Sequence, residues 1–272
     1  TIHFINNETF FKNGFTYNKN TRNRISAIVP VHVWGNAVWL DKLVSLCKKC
    51  NIAVVEDATE SLGTFYRSGK YKGQHTGTIG MLGCLSFNGN KIITSGGGGM
   101  ILSNDSMLAE KARYLTTQAK DEPVRYVHNE VGYNFRLTNI QAALGVAQLE
   151  QLPDFLQRKR EIYHHYQTAL DDNESLAIAG VPDYAKNNHW MNILKINTEI
   201  YHENLEVLMQ KFENNGIQAR PVWKLNHLQK PYLKSQNHQI ECAYDLHQRS
   251  LCIPSSVGLT KNEINQIIEK IR

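Results

Sequence analysis

Between Ile25 and Val55 an apolar run, a helix-like run and a second apolar run follow one another, and this limits the chain to few folds. Ile25 to Val33 is rich in β-branched residues and reads as a buried strand that Trp34-Gly35-Asn36 ends. Val38 to Cys50 has helical spacing at Leu40, Leu43, Val44 and Cys47, and Ile52 to Val55 returns as a strand closing on Glu56-Asp57. Strand, helix and strand in about thirty residues make a parallel βαβ unit, whose ligands bind at the carboxyl ends of the strands. Asp57 stands at such an end. It reads equally as a ligand group and as the cap of a following turn, a role Asp fills very often.

A second strand end carries a lysine. Gly77 to Phe87 alternates glycine with apolar residues and predicts a strand; Lys91 follows, then Gly96 to Gly99, and Met100 to Ser103 resumes as a strand. A lysine among apolar and β-branched residues, with no carboxylate nearby in sequence, has its pKa lowered by desolvation and becomes a nucleophilic amine able to form a Schiff base. The glycines permit positive φ and close approach of a flat ligand or another chain, although taken alone they favour a plain turn. A phosphate-binding P-loop is excluded, because its lysine follows the glycines whereas Lys91 precedes them.

Further along, Asp105 opens a helix carrying Leu108, Ala109, Ala112 and Leu115, which Asp121-Glu122-Pro123 breaks. Thr138 or Asn139 caps a long helix through Leu149, Pro153 marks a kink or restart, and Phe155 to Leu170 is the amphipathic connector to a second domain. From about Ala177 onward, strands near Trp190 to Ile196, a helix from Ile200 to Asn214 stopped at Gly216, and two short closing helices complete it. The domain reading is therefore 1–152 and 153–272.

The 272 residues carry a net charge of +5, scattered without a basic stripe, which argues against nucleic-acid binding. No apolar run is long enough to span a bilayer and no signal-peptide pattern is present, so a cytoplasmic protein is expected. Five cysteines, mostly in apolar contexts, suit reduced thiols better than a disulfide framework. Cys47 and Cys50 form a Cys-x-x-Cys without a second pair, so a zinc site or redox dithiol is the minor reading and no metal is expected.

Several ordered segments resemble the DegT-type (StrS-type) pyridoxal-phosphate-dependent aminotransferases that make amino sugars on nucleotide carriers. They are Pro30-Val31-His32 with Gly35, Val54 to Gly63, Ser86 to Lys91 with its glycines, Gly132 to Arg136 before Gln141-Ala142-Ala143, Asn226 to Gln229, and Leu251 to Leu259. The resemblance implies an α/β chain of the aspartate-aminotransferase-like fold type I: a mixed, mostly parallel sheet flanked by helices, with a small α/β C-terminal domain. It implies pyridoxal 5′-phosphate held covalently by Lys91, Asp57 on the pyridine nitrogen, Ser86 on the phosphate, and Asn134 reaching the phosphate bound by a second subunit of a homodimer. It implies a nucleotide-linked keto-sugar as acceptor and glutamate as amino donor, with His32, Arg136 and His227 on the substrate side. A truncated noncatalytic module and a sugar dehydratase are the alternative readings, the latter set back because its lysine is replaced in that branch. Two departures stand out. Glu60 occupies the place where many relatives carry a glutamine facing the cofactor's phenolic oxygen, and family members begin with a further segment, so the chain is expected to start inside the large domain.

Overall fold

Why the first βαβ unit forms is visible in its buried positions. The computed structural model describes residues 1–272. A short helix α1 (Ile2–Asn7) and a hairpin of β1 (Thr9–Lys12) and β2 (Phe15–Asn18) lead into β3 (Ala27–Ile28), α2 (Asp41–Lys49) and β4 (Ala53–Asp57). Leu43 and Cys47 on α2, with Leu40 at its N-cap, are spaced by three and four and form a buried stripe that packs with Ile5, Ile52 and Val54. The predicted strand from Ile25 to Val33 is much shorter than expected. Pro30 lacks an N–H, Val29 and Val31 are exposed, and the pairing resumes only at Val31 opposite Asp57.

After β5 (Phe65–Tyr66) come β6 (Leu82–Ser86) and β7 (Gly99–Leu102), and the sheet runs β3-β4-β6-β7. The first two pairings are parallel and the last is antiparallel, which gives a mixed, mostly parallel sheet. Residues 77–80, predicted to be strand, form a loop, because the N–H groups of Gly77, Ile79 and Gly80 donate to the Glu56 carboxylate and not to a ladder. Gly83 has no room for a side chain: a Cβ there would lie 1.8 Å from the Gly77 carbonyl oxygen.

Helix α3 (Ser106–Thr116) is capped by Asp105, whose carboxylate accepts from the N–H of Met107 and Leu108. Thr138 caps α4 (Asn139–Glu150) in a reciprocal box with Gln141. Neither helix buries a residue, and Ile140, Val146 and Leu149 on α4 are exposed together with Met107 on α3 and Tyr133 and Phe135 between them. Pro153 sits one residue inside α5 (Leu152–Leu170), where a missing N–H is harmless, so it marks the restart.

The rest comprises β8 (Leu176–Ile178), β9 (Ala185–Lys186), β10 (Asn192–Ile196), α6 (Leu205–Asn214), β11 (Arg220–Pro221), α7 (Glu241–Gln248), β12 (Ser250–Ile253) and α8 (Lys261–Ile271). The predicted helix from Ile200 starts five residues late, because the Asn204 side chain accepts from the Val207 N–H and caps it there. Two compact units result: residues 1–153 with 182–188, and residues 154–181 with 189–272. In the first, β9 returns to pair with β5. In the second, an antiparallel sheet β11-β12-β10-β8 packs with α5, α6 and α8 around Tyr166, Leu194, Leu208, Phe212, Leu251 and Ile264, all fully buried.

Candidate active site

The C-terminal end of β4 is pinned on both sides. Asp57 donates its N–H to the Pro30 carbonyl and accepts at its own carbonyl from the His32 N–H, while its register partner on β6 is Cys84. Its carboxylate turns onto the following loop: Oδ1 accepts from the N–H (3.1 Å) and hydroxyl (2.6 Å) of Thr59, leaving Oδ2 for a further donor. Thr59 was not singled out in the sequence, although Asp-x-Thr is a recognisable side-chain turn signal. The cap reading of Asp57 is met on Oδ1, and the ligand reading requires only the other oxygen.

Lys91 projects from the loop between β6 and β7. That loop is tied at Phe87, whose N–H donates to Gly98 and whose carbonyl accepts from the N–H of Ser95 and the hydroxyl of Thr94. Ile92 and Ile93 bury beside the lysine. Gly96 and Gly98 take positive φ, and Gly99 already belongs to β7, so the glycine run is the turn that reverses the chain. Lys91 Nζ lies 3.9 Å from Glu60 Oε1, the two side chains being 15% and 12% exposed. Burial lowers the Lys91 pKa, against which the charges of Glu60 and Asp57 push upward. The carboxylate partners absent from the local sequence are thus supplied by another strand end.

Glu60 is held from its other side. Its Oε2 accepts the Trp34 N–H at 2.7 Å. Trp34 adopts φ 55° and ψ 23°, a left-handed conformation that costs a bulky residue about 1 kcal/mol or more and persists only where its surroundings impose it. Trp34 carried no sequence signal beyond ending a strand.

His32 is fully buried. Its Nδ1 accepts from the Val38 N–H at 3.0 Å, which places the ring proton on Nε2, donated to Glu56 Oε2 at 2.9 Å. Both nitrogens are engaged inside the chain, so the substrate-side expectation for His32 gives way to a framing role. Burial raises the Glu56 pKa, but hydrogen bonds from His32, Gly80 and Gly77 outweigh it and hold the carboxyl below its ordinary value. Ser86 ends β6 with its Oγ accepting from the Asn88 N–H. Asn134 and Arg136 are exposed between α3 and α4, and His227 lies on a short turn in the second unit. The geometry therefore gathers Asp57, Glu60 and Lys91, with Ser86 at the root of the lysine loop.

A primary amine beside two carboxylates at parallel strand ends, one carboxylate with a spare oxygen, fits an aldehyde cofactor carrying a basic ring nitrogen. Comparison with known proteins leads to the same chemistry. The DegT/DnrJ/EryC1/StrS aminotransferase family model matches residues 15–272. EpsN of Bacillus subtilis (strain 168) is 38% identical over 249 residues, covering 89% of this chain and 62% of that protein. GDP-perosamine synthase of Escherichia coli O157:H7 is 35% identical over 266 residues, covering 97% of this chain and 70% of the relative. Among solved structures, DesI crystallised in the presence of its TDP-sugar product superposes with a TM-score of 0.83 at 23% identity, covering 92% of this chain and 62% of that one. The chain thus spans roughly two thirds of the length of the proteins it matches.

Proposed function

The chain belongs to the DegT/DnrJ/EryC1/StrS aminotransferase family, and on that premise we propose that it transfers an amino group from glutamate to a keto-deoxysugar carried on a nucleotide. The observation that carries the reading is the meeting of Lys91 with Glu60 at 3.9 Å beside the strand-end carboxylate of Asp57. When bound, pyridoxal phosphate supplies an electron sink for the carbon that gains or loses a proton during amino transfer. Lys91 would hold the cofactor covalently and, once released, move that proton as general base and then acid. Asp57, with Oδ2 open, would keep the ring nitrogen protonated. Ser86 and a partner subunit's copy of the exposed Asn134 would receive the phosphate, and Arg136 and His227 are proposed toward the substrate.

The nucleotide-sugar part leans on relatives such as GDP-perosamine synthase. A homodimer is supported by the exposed apolar surface of α3, α4 and the loop between them, where Ile140 is 84% and Phe135 70% exposed, more than an isolated chain ordinarily leaves open. No helix is long and apolar enough to cross a membrane, and the proposed compartment is the cytoplasm.

The test is titration of the purified protein with pyridoxal phosphate, followed by visible absorbance, then single turnover with glutamate and a panel of nucleotide keto-sugars. Wild type should develop the absorbance and aminate a member of the panel; Lys91→Ala should do neither. Equal behaviour of the two proteins refutes the assignment of Lys91.

A further inference from the structure

The left-handed turn at Trp34 sits in a buried polar lattice that joins three separated stretches of the first unit. Asn188, 1% exposed, donates through Nδ2 to the carbonyls of Glu60 (2.9 Å) and Leu62 (3.0 Å). Its backbone N–H donates to the Thr64 hydroxyl at 3.1 Å, and that hydroxyl donates to the Gly35 carbonyl at 2.9 Å. The Asn188 carboxamide also occupies the space beside Gly35: a Cβ there would lie 1.9 Å from Asn188 Oδ1, and Gly35 has φ +85°. Next door, Asn187 Nδ2 donates to Asn36 Oδ1 at 2.8 Å.

One carboxamide therefore grips the main chain of Glu60 and abuts the turn that presents the Trp34 N–H to Glu60 Oε2. Trp34 is a strained non-glycine residue whose N–H is taken by Glu60 and whose neighbour Gly35 is packed against Asn188, so its conformation is imposed by distant parts of the chain. We propose that Asn188, with Thr64 and the Trp34–Gly35 turn, is a positioning device that sets Glu60 against Lys91 and thereby fixes how readily Lys91 holds its proton. This rests on the proposed role of Lys91 for its meaning in catalysis, but not for its measurement. Glu60 and Asp57 are the charged groups that act on Lys91, and both favour its ammonium form. Loosening Glu60 should then shift the lysine toward the neutral amine. The four lattice residues come from stretches up to 154 positions apart in numbering (Trp34 to Asn188), and none of them touches the chain through sequence neighbours alone.

The experiment uses the cofactor-free protein labelled with carbon-13 at the lysine ε position, with the Lys91 signal assigned by its loss in Lys91→Arg and its titration followed by NMR. Glu60→Gln should lower the Lys91 midpoint. Asn188→Ala should lower it in the same direction, and the double variant should lie close to Glu60→Gln alone, since both act through one carboxylate. Thr64→Val, nearly isosteric and expected to fold if Asn188→Ala does not, should produce a smaller shift of the same sign. With the cofactor restored, Asn188→Ala should lower kcat by roughly tenfold to a hundredfold with little change in KM, as a small misplacement of a reacting group does. An unmoved Lys91 midpoint in both Asn188→Ala and Thr64→Val, even with a lowered melting temperature, overturns the proposal and makes the lattice structural only. An unmoved midpoint in Glu60→Gln overturns it as well. If the midpoints shift as expected while wild type aminates no nucleotide sugar, the positioning device stands and the proposed activity falls.

Discussion

Two lysines withdrawn from solvent to different degrees, one in each unit, show how differently the same side chain is held. Lys91 faces two carboxylates at the strand ends of the first unit and stays partly open. Lys159, on α5 in the second unit, is 6% exposed and donates to the carbonyls of Trp190 (2.9 Å) and Ser255, with no carboxylate lowering its desolvation. Burial alone brings its pKa down to about 8. At Lys91 nearby carboxylates offset the effect of burial, whereas at Lys159 carbonyls close around the amine and leave burial unopposed. The surroundings differ in kind: side-chain carboxylates near a strained turn at the first, backbone carbonyls beside the buried Asn192–Ser255 pair at the second.

Exchanging the two lysines for neutral residues should break the symmetry most strongly. Lys91→Ala is expected to reduce amination by 10²-fold to 10⁴-fold or more, the range for removing a positioned acid-base group, with a melting temperature close to wild type. Lys159→Met should keep turnover within a few-fold, and coupled assays on the loaded enzyme decide between them. Comparable activity losses in both would mean that Lys159 also serves the chemistry.

Next in size is the apolar side of the contrast. Phe212 is fully buried in the second unit's core, so Phe212→Ala should cost about 3–5 kcal/mol of stability. Denaturant unfolding reads this directly, while cofactor absorbance at low temperature should be retained; a loss below 1 kcal/mol would show a core that collapses around the gap.

The Lys159 titration sharpens the comparison further. Its folded pKa of about 8 lies below the ordinary lysine value of 10.5, so between these pH values the unfolded chain holds the proton that the folded chain has released. Stability contributed by this group therefore rises with pH across that window, by up to about 3 kcal/mol. Other groups titrate there too, so the expected observation is a difference: wild type should gain more stability between pH 8 and 10.5 than Lys159→Met does. Parallel curves would place Lys159 in better contact with water.

The smallest effect concerns α4. Thr138→Ala removes the capping box of a helix that buries nothing, and should cost about 1 kcal/mol, seen as a lowered helical signal on mild heating.

Local rules made much of this legible. Asp105 and Thr138 as caps, the stripe on α2 and the turn at Asn204 follow from side-chain chemistry within three or four residues, although the last was legible only as a helix and not as its start. Asp57 was singled out because a βαβ pattern places its strand end, and Lys91 because its neighbours are apolar. Glu56 shows the limit. Its adjacency to Asp57 says nothing of the four donors from His32, Gly77, Ile79 and Gly80 that converge on it, and these turned an expected strand into a loop and an expected substrate residue into a frame.

By itself the sequence determined the periodicities, the helix caps, the α/β order and the family, because these depend on residues close together along the chain or on ordered motifs. Only the tertiary structure decided that Glu60 meets Lys91, that Trp34 is forced into a left-handed turn, and that Asn188 returns from far along the chain to bond the Glu60 carbonyl and pack beside Gly35. Such contacts depend on which backbone groups the sheet brings to one end, and desolvation and charge act through space without regard to chain position.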